Sequence, residues 1–541
     1  MTKRKVYFPF IVGIAIAVGI FIGSTFNFQN KSVLFSSNSN EAKIKRLINY
    51  INYDYVDKVN TDSLLDDAIT TMLAKLDPHS VYIPKDELQR VTESMQGKFA
   101  GIGVSFIVHD DSVAVSSVIK GGPSEKAGIK AGDRIIVANS DTLFGKSLIK
   151  KAGIAEIERG TIEGNRKMSD AVMKALKGEP DTKVNVLVYR RSTNQKLKFP
   201  ITRGDVSITS VSAHYMVSNR LGYIKVDRFA RTTYQEFKKA LDELIGKGMT
   251  SLALDLRGNP GGYMDIANMI VDEFLADGKL IVFTKNKNGA VDKSFSTDKG
   301  DFEHGKIFVL IDQNSASASE IVAGALQDND KGTIVGRRSF GKGLVQQEME
   351  LGDGSAVRLT TARYYTPTGR SIQKPYDHSD QTNYNNDYLE RIHNGELLSR
   401  DSIKVNDSLK YKTPKGKIVY GGGGIIPDVF VSIDTTGTFS AELYSELNPF
   451  IFKYIDNNRK EMNKWELYDF VKNFDKNDKI FNQYLSELDI KYPIPPAVRE
   501  DLKRYFKAIM ARNLFDETGF FMITQKKDNM ILKVIELDSK K

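Results

Sequence analysis

The sequence predicts a multidomain α+β protein, because its length and its changes of pattern do not fit a single domain. The 541 residues exceed what one hydrophobic core usually organises. Short β-rich runs fill 97–203, strands alternate with helices in 204–440, and 441–541 is helical and highly charged. An apolar stretch at 1–30 and a helical segment at 31–96 precede these regions. We therefore expect three or four folded domains.

The N-terminal region 1–30 has the pattern of a membrane anchor. The cations of Thr2–Lys5 precede an uncharged stretch, Val6–Asn30, which is long enough to cross a bilayer. Basic flanks stay cytoplasmic, so we expect a single pass through a bacterial inner membrane with the rest of the chain in the periplasm. The alternative is a cleaved signal peptide and a secreted or periplasmic product, although a clear small-x-small cleavage site is lacking after Ile22.

Periodicity predicts the individual elements. The segment from Glu41 to Met95 has helical spacing of its apolar residues. The β-rich region contains extended runs at 103–108, 113–118, 134–137 and 184–189. The alternating region predicts a buried parallel or mixed sheet, with strands at 221–226, 252–256 and 307–311 and helices at 234–246 and 263–277. The turn Gly352–Gly354 predicts a hairpin, and the polar stretch Lys374–Lys410, called the insertion below, is expected on the surface.

Composition and motifs exclude several classes of protein. The net charge of +9 is spread along the chain without a nucleic-acid motif, so no nucleic-acid partner is expected. The chain has no cysteine, which excludes disulfides, thiolate metal sites and a cysteine protease. The six histidines form no HExxH pattern, and no Gly-x-Ser-x-Gly motif occurs. We expect neither a metal nor an organic cofactor.

One strand end of the alternating region is rich in glycine. Ligands gather beyond the carboxyl ends of strands in open α/β sheets. The segment Arg257–Gly262 follows such a strand, and Gly261 and Gly262 allow the backbone to approach a substrate and to turn N–H groups toward it. A glycine pair after a strand is also a common turn, so the motif alone is weak.

The next strand end is rich in serine. The segment Asn314–Glu320 holds serines at 315, 317 and 319. A hydroxyl here could attack a carbonyl, and the amide of Ala318 could provide the second of the two donors that an oxyanion needs. The pattern from Ser317 to Glu320 is also a helix capping box, and these residues alone do not separate the three serines.

Lys342 is the candidate general base. A lysine base must be neutral, so its pKa has to fall by about 3 units through desolvation. Its surroundings suit this, since its apolar neighbours are Phe340, Leu344 and Val345. In a strand, Gln346 would share a face with Lys342 and could orient the amine without adding charge. The alternative is a solvated lysine, and Asp328 is expected to be a structural partner rather than the base.

The sequence resembles the C-terminal processing peptidases, or tail-specific proteases, in which a PDZ domain is joined to a crotonase-like serine–lysine protease core. The resemblance spans Glu41 to Asp428. It is carried chiefly by Ser315–Asp328, Phe340–Gln346 and Tyr364–Gln373, and it is supported by the runs Leu76–Ile83, Asp255–Gly262 and Gly423–Asp428.

The resemblance implies a role for each matching residue of the core. It makes Ser317 the nucleophile, Lys342 the general base and Gln346 the residue that orients the base. It implies an oxyanion hole from the amides of Ala318 and of Gly261 or Gly262. The insertion and the C-terminal extension depart from a minimal member of the family, and both are expected to stay clear of the catalytic positions.

The resemblance also implies how a substrate is recognised. The β-rich region becomes the PDZ domain, and its loop of Gly101, Ile102, Gly103 and Val104 would bind the terminal carboxylate of an apolar C-terminal tail. The implied protein is a serine endopeptidase without cofactor, and a homodimer is a further expectation. The alternatives are a PDZ scaffold that has lost activity and a crotonase-type acyl-CoA enzyme on the same fold.

Overall fold

The computed structural model describes residues 13, 39–109, 112–155, 158, 161–377, 382–435, 443–444, 446–488, 490 and 492–540. Apart from Gly13, the predicted anchor at 1–30 lies outside these residues. Within the described ranges, no helix is both long enough and apolar enough to cross a membrane. The chain falls into two compact units, Met1–Lys75 and Leu76–Lys541.

The described part of the first unit, from residue 39 onward, forms the helices α1 (Ser39–Tyr53) and α2 (Thr61–Ala74). Asn60 caps α2, because its side-chain oxygen accepts the N–H groups of Asp62 at 3.1 Å and Ser63 at 3.3 Å. The predicted helical character of this segment is confirmed.

The second unit contains the remaining elements. Its helices are α3 (Lys85–Gln96), α4 (Pro123–Ala127), α5 (Gly145–Ala152), α6 (Ile162–Leu176), α7 (Thr233–Gly246), α8 (Met264–Asp272), α9 (Ala318–Asp328), α10 (Thr382–His393), α11 (Leu447–Asn457), α12 (Arg459–Met462), α13 (Leu467–Asn473), α14 (Lys479–Glu487), α15 (Pro496–Thr524) and α16 (Asn529–Ser539). Short 3-10 turns occur at Arg400–Ser402, Asp407–Leu409 and Gln525–Lys527.

The strands of the second unit run through its whole length. They are β1 (Val81–Ile83), β2 (Lys98–Gly101), β3 (Val104–His109), β4 (Ser112–Val118), β5 (Arg134–Ala138), β6 (Asp141–Thr142), β7 (Lys183–Arg190), β8 (Gln195–Thr202), β9 (Gly204–Ser207), β10 (Val211–Met216), β11 (Leu221–Val226), β12 (Ser251–Asp255), β13 (Leu280–Asn286), β14 (Val291–Phe295), β15 (Lys306–Ile311), β16 (Gly332–Gly336), β17 (Leu344–Glu350), β18 (Ala356–Tyr365), β19 (Lys410–Lys412), β20 (Ile418–Tyr420) and β21 (Val429–Phe430).

The β-rich domain is an antiparallel sheet with helices packed on it. Its strand order is β3-β4-β5-β7-β8, so β3 is an edge strand. Apolar side chains of the strands and of α5 and α6 form one core. The strands β2 and β9 pair antiparallel where the chain enters and leaves the domain.

The central sheet of the next region is mixed, in the order β10-β11-β12-β15-β16-β21. Strand β10 is antiparallel to β11, whereas the other neighbours are parallel. The inner strands are buried almost throughout, as expected for a sheet covered on both faces. Helices α7, α8 and α9 cover one face, and α16 with the end of α15 covers the other. The last helix of the chain therefore belongs to this core.

A second, antiparallel sheet lies beside the central one. Its order is β1-β18-β13-β14, and β17 also pairs with β18. The predicted hairpin at Gly352–Gly354 is present, since it joins β17 to β18. This hairpin matters for the site because β17 begins two residues after Lys342.

The C-terminal extension forms a helical bundle with an aromatic core, in which α11, α13, α14 and α15 contribute buried phenylalanines. It contacts the β-rich domain through Asp456 of α11. The buried carboxylate of Asp456 accepts hydrogen bonds from Arg134 at 2.8 Å and Arg191 at 2.9 Å.

Candidate active site

The loop after β12 is fixed by Asn259, which is fully buried. Its side chain donates to the carbonyl of Val226 at 2.9 Å and accepts the N–H of Gly261 at 2.8 Å. Its own carbonyl accepts the N–H of Ala316 at 3.0 Å and the hydroxyl of Ser319 at 2.9 Å. Because Ala316 and Ser319 lie after β15, Asn259 joins the two strand-end loops.

The three serines after β15 have different environments. Ser315 and Ser319 are fully buried, and each hydroxyl donates to a main-chain carbonyl, of Leu256 at 2.8 Å and Asn259 at 2.9 Å. Ser317 is half-buried, and its φ of 55° lies in the left-handed region that a non-glycine residue rarely adopts. Among the described residues no acceptor is recorded for its hydroxyl. The geometry thus separates Ser317 from its neighbours, which the sequence could not do.

The glycine pair approaches Ser317 closely. Gly261 has a φ of 103°, and a Cβ there would lie 2.7 Å from the Cβ of Ser317 and 2.9 Å from the amide nitrogen of Ala318. Only glycine fits this position. The N–H of Gly261 is taken by Asn259, whereas no hydrogen bond to a described residue is recorded for the N–H of Gly262 or Ala318. Of the two glycine amides that the sequence left open, Gly262 is the one available to an oxyanion.

Lys342 lies in an irregular segment just before β17, so the prediction that it belongs to the strand is wrong. Its Nζ nevertheless donates to Oε1 of Gln346 at 2.8 Å, as the sequence predicts. Burial is the main cause that lowers the pKa of Lys342 to about 8, and nearby Arg358 acts in the same direction. The negative charges of Asp77 and Glu320 oppose the shift. A substantial fraction of this amine is therefore neutral near pH 8.

The backbones of Ser317 and Lys342 share two partners. Oε2 of Glu320 accepts the N–H of Ser317 and the N–H of Lys342, both at 2.9 Å. The hydroxyl of Tyr364 contacts the carbonyl of Ser317 at 3.1 Å and that of Lys342 at 2.8 Å. Both Glu320 and Tyr364 are buried. The two candidate catalytic residues are thus held side by side, although the structure records no hydrogen bond between Ser317 Oγ and Lys342 Nζ among its described atoms.

Glu320 also fixes the loop Ser339–Gly343, called the lysine loop below. Its Oε1 accepts the hydroxyl of Ser339 at 2.5 Å and the N–H of Gly341 at 2.8 Å. Burial raises the pKa of Glu320, and these hydrogen bonds offset part of that shift. The glutamate that the sequence assigns to a capping box therefore has a second role as the acceptor that organises the lysine loop.

The predicted carboxylate-binding loop lies at the edge of the β-rich domain. Gly101, Ile102 and Gly103 are buried, Val104 begins the edge strand β3, and Gly103 has a φ of 73°. Helix α6 contacts β3, and the half-buried apolar side chains that these two elements pack on the domain core are those of Val104, Phe106, Val108, Ala171 and Ala175. An edge strand next to a helix leaves main-chain groups free to pair with an extended peptide.

Comparison with known proteins assigns families to these regions. Residues 220–380 match peptidase family S41, and 100–201 match the PDZ domain. Residues 24–87 match the N-terminal domain of the activating protease CtpB, and 444–516 match a family of unknown function.

Three curated relatives extend the match beyond single domains. The carboxy-terminal processing protease CtpB of Bacillus subtilis is 35% identical over 61% of this chain and 65% of its own length. The carboxy-terminal-processing protease of Bartonella bacilliformis is 32% identical over 66% of this chain and 78% of its own. A probable CtpA-like serine protease of Staphylococcus aureus is 31% identical over 68% and 71%. This chain belongs to the carboxy-terminal processing protease family.

Membership confirms the resemblance and the coarse architecture. The chain has an S41 peptidase domain, a PDZ domain and a helical C-terminal region. The family is one of serine-type peptidases. No group of three or more His, Cys, Asp or Glu side chains that could hold a metal ion was found within the described ranges.

The insertion contacts the loop that carries Lys342, although no hydrogen bond from it to Ser317, Lys342 or Gln346 is recorded among the described residues. Arg391 of α10 is buried and donates to the carbonyls of Arg338 at 3.2 Å, Ser339 at 2.9 Å and Phe340 at 3.3 Å. Lys374 lies over the ring of Phe340 at 4.2 Å. The insertion therefore packs against the lysine loop through a few buried residues, whereas many of its other described residues are exposed, as the sequence predicts.

Sequence reasoning also missed His79. Nε2 of Gln346 donates to the carbonyl of His79, and the ring of His79 shares a 2.5 Å hydrogen bond with the hydroxyl of Tyr384 in the insertion. The run Leu76–Ile83 supports the family resemblance, so the sequence indicated that this run matters but gave no role to any residue in it. Nothing in the sequence pointed to Tyr384 or Arg391, because their partners lie far away along the chain.

Proposed function

We propose that this protein is a serine endopeptidase that binds C-terminal tails through its PDZ domain and cleaves by a Ser317–Lys342 mechanism. The observation that carries the proposal is the shared support of the two residues by Glu320 and Tyr364, beside an amine whose pKa is lowered to about 8. A serine hydroxyl is a weak nucleophile until a neighbouring base accepts its proton.

In the proposed first step, the neutral amine of Lys342 accepts the proton of Ser317 as Oγ attacks the scissile carbonyl. The resulting oxyanion accepts the N–H groups of Gly262 and Ala318. The ammonium of Lys342 is stabilised by Oε1 of Gln346 and then gives its proton to the leaving amine, which breaks the peptide bond and leaves an acyl-enzyme. Water, deprotonated by the same lysine, then attacks the acyl ester, Lys342 returns the proton to Oγ of Ser317, and the N-terminal part of the substrate leaves with a new C-terminal carboxylate.

Substrate selection is assigned to the PDZ domain. An extended tail would add to the edge strand β3, with its terminal carboxylate on the amides of the loop Gly101–Val104 and its apolar side chains facing α6. Main-chain pairing gives affinity without sequence preference, so the preference for apolar residues comes from the half-buried side chains of this groove.

The proposal is tested by cleavage of one peptide substrate with a free and an amidated C-terminus. Ser317→Ala and Lys342→Ala should each lower kcat by more than about a thousandfold while tail binding persists. The exposed Ser192→Ala is the control for the nucleophile, and the exposed Lys239→Ala is the control for the base.

Each outcome tests a different part of the proposed function. Cleavage by Ser317→Ala would overturn the assignment of the nucleophile. Equal rates for the free and amidated substrates would contradict tail recognition. Binding of the tail by wild-type protein without any turnover would favour the alternative of an inactive PDZ scaffold.

We also propose that residues 1–30 anchor the protein in the inner membrane, with the peptidase in the periplasm. The basic Thr2–Lys5 and the uncharged Val6–Asn30 support this. The full chain should remain in carbonate-washed membranes, and a variant without residues 2–30 should be released. Full-length protein in the soluble fraction would contradict the anchor. That the protein forms a homodimer, and that its substrates end in apolar tails, remain predictions.

A further inference from the structure

The turn Asp77–Ser80 is rigid and joined to the sheet that carries β17. Oδ1 of Asp77 accepts the N–H of His79 at 2.8 Å and that of Ser80 at 2.9 Å, and its Oδ2 accepts the hydroxyl of Ser80 at 2.6 Å. The same hydroxyl accepts the N–H of Thr360 in β18 at 3.1 Å. Asp77 and Ser80 are buried, so the carbonyl of His79 has a fixed position.

That carbonyl determines which way the amide of Gln346 faces. A carbonyl can only accept, so the nitrogen of the amide must face His79 and the oxygen must face Lys342. Without such a partner, the two orientations of a glutamine amide are close in energy. His79 is therefore what distinguishes the two ends of Gln346.

The orientation has a chemical consequence for the base. A neutral amine has two hydrogens and one lone pair. When Oε1 of Gln346 accepts one hydrogen, the lone pair of Lys342 stays free to accept the proton of Ser317. If the amide were reversed, its N–H would donate to the lone pair and block proton transfer.

A residue of the insertion holds His79 from the other side. The hydroxyl of Tyr384 and Nε2 of His79 are 2.5 Å apart, and their rings meet edge to face at 5.3 Å. The ring of Phe340, in the lysine loop, packs on His79 as well. Burial and the nearby Lys342 lower the pKa of His79 to about 4, so the ring is neutral and adds no charge beside the base.

We propose that His79, held by Tyr384, is a positioning residue for the lysine base, because its carbonyl selects the orientation of Gln346 that leaves the lone pair of Lys342 free. The inference rests on the proposed function. It assigns a role to the run Leu76–Ile83 and makes the insertion part of the support of the base.

The test uses substitutions that keep the rings. Tyr384→Phe and His79→Phe each remove the hydrogen bond between the two side chains, and Tyr388→Phe is the same change at an exposed position on the same helix. We expect a three- to tenfold fall in kcat for the first two, roughly the effect of one lost hydrogen bond, with KM unchanged. Tyr388→Phe should behave as wild type.

A double-mutant cycle separates positioning from general support. In a Gln346→Ala background, Tyr384→Phe should cause no further fall in kcat, because Tyr384 is proposed to act on Lys342 only through Gln346. Additive effects would show that Tyr384 acts independently of Gln346 and would overturn the inference, as would a wild-type kcat for both single variants.

A second readout does not depend on cleavage. Competitive acetylation of Lys342, followed by mass spectrometry in a Ser317→Ala background, gives the titration midpoint of its amine. We expect the midpoint to move upward in His79→Phe and Tyr384→Phe, since a loosened Gln346 admits water to the amine. An unchanged midpoint would contradict the inference. If the wild-type protein proves unable to cleave any tail, the proposed function fails, and this titration still decides the role of His79.

Discussion

Ser317 and Lys342 are supported in different ways. Ser317 is held by residues of the two adjacent strand-end loops, chiefly Asn259 and Glu320, and by the start of α9. The lysine loop is held by partners from distant parts of the chain. These are the ring of His79, which packs on Phe340, and the side chains of Glu320 and Arg391. The nucleophile therefore depends on local structure, whereas the base depends on the assembly of the whole unit.

This difference indicates which catalytic residue is displaced more easily when other parts of the structure change. A loop held by long-range contacts loses its position when any one of several distant elements loosens. Changes far from Ser317 should therefore act on the base first. Glu320 is the exception, since it holds both regions.

Glu320→Gln should have the largest effect, because it breaks both regions at once. Each oxygen of Glu320 accepts two hydrogen bonds, so the amide nitrogen of glutamine would face two donors in either orientation. Unsatisfied buried groups of this kind cost about 1 to 3 kcal/mol each. Thermal unfolding should show a clear loss of stability, and cleavage should be nearly abolished. A silent substitution would mean that the carboxyl group is already protonated and does not organise the loops as an acceptor.

Gly261→Ala should disturb the serine region alone. The added Cβ would lie 2.7 Å from the Cβ of Ser317, so the nucleophile must move. We expect kcat/KM to fall by more than about a hundredfold, since misplacement of a reacting group by 1 Å has effects of this size.

Gly258→Ala is the matched control. It lies in the same loop and also has a positive φ, of 69°, but a Cβ there meets no atom within 4 Å. It should cost about 1 to 2 kcal/mol of stability for its backbone conformation and leave kcat unchanged. Similar kinetics for the two variants would contradict the close approach of Gly261 to Ser317.

Arg391→Met should disturb the lysine region alone. It removes the donors to the carbonyls of residues 338, 339 and 340. Arg391 also forms an ion pair with Asp387 at 3.0 Å, and removal of one partner leaves the other charge uncompensated, so we expect a loss of about 3 kcal/mol in unfolding free energy. The kcat should fall about tenfold, by analogy with the loss of one or two hydrogen bonds. The exposed Arg400→Met, also in the insertion, is the control, and equal losses in both variants would refute a specific role for Arg391.

Asp456→Asn should affect neither region. It weakens the contact of the C-terminal extension with Arg134 and Arg191 of the β-rich domain, and the ion pair of Asp456 with Arg459 within the extension. Although burial opposes ionisation, Arg134 and the other arginines lower the pKa of Asp456, so its contribution to stability is complete above the ordinary aspartate pKa. That contribution disappears as the pH falls through the lowered pKa. Unfolding measured against pH should show a difference from wild type at neutral pH that vanishes in acid. A large fall in kcat would contradict the separation of this contact from the site.

The sequence predicted the surroundings of Ser317, which come from nearby residues, better than those of the lysine loop, which come from distant ones. Helix α9, the strands β11, β12 and β15 and the glycine-rich loop follow from apolar runs, caps and turn residues, which act over a few positions. The pairing of Lys342 with Gln346 was also visible, because four residues separate them. The support from His79, Tyr384 and Arg391 could not be seen, since no periodicity links residues 79, 346 and 391.

The central claim is that Lys342 acts as a neutral base for Ser317, and the dependence of kcat/KM on pH tests it most directly. With its pKa lowered to about 8, the free enzyme should gain activity tenfold per pH unit at lower pH and reach a plateau above about pH 8. A profile that does not change between about pH 6 and 9, or one that rises only toward the ordinary lysine pKa of about 10.4, would contradict the account.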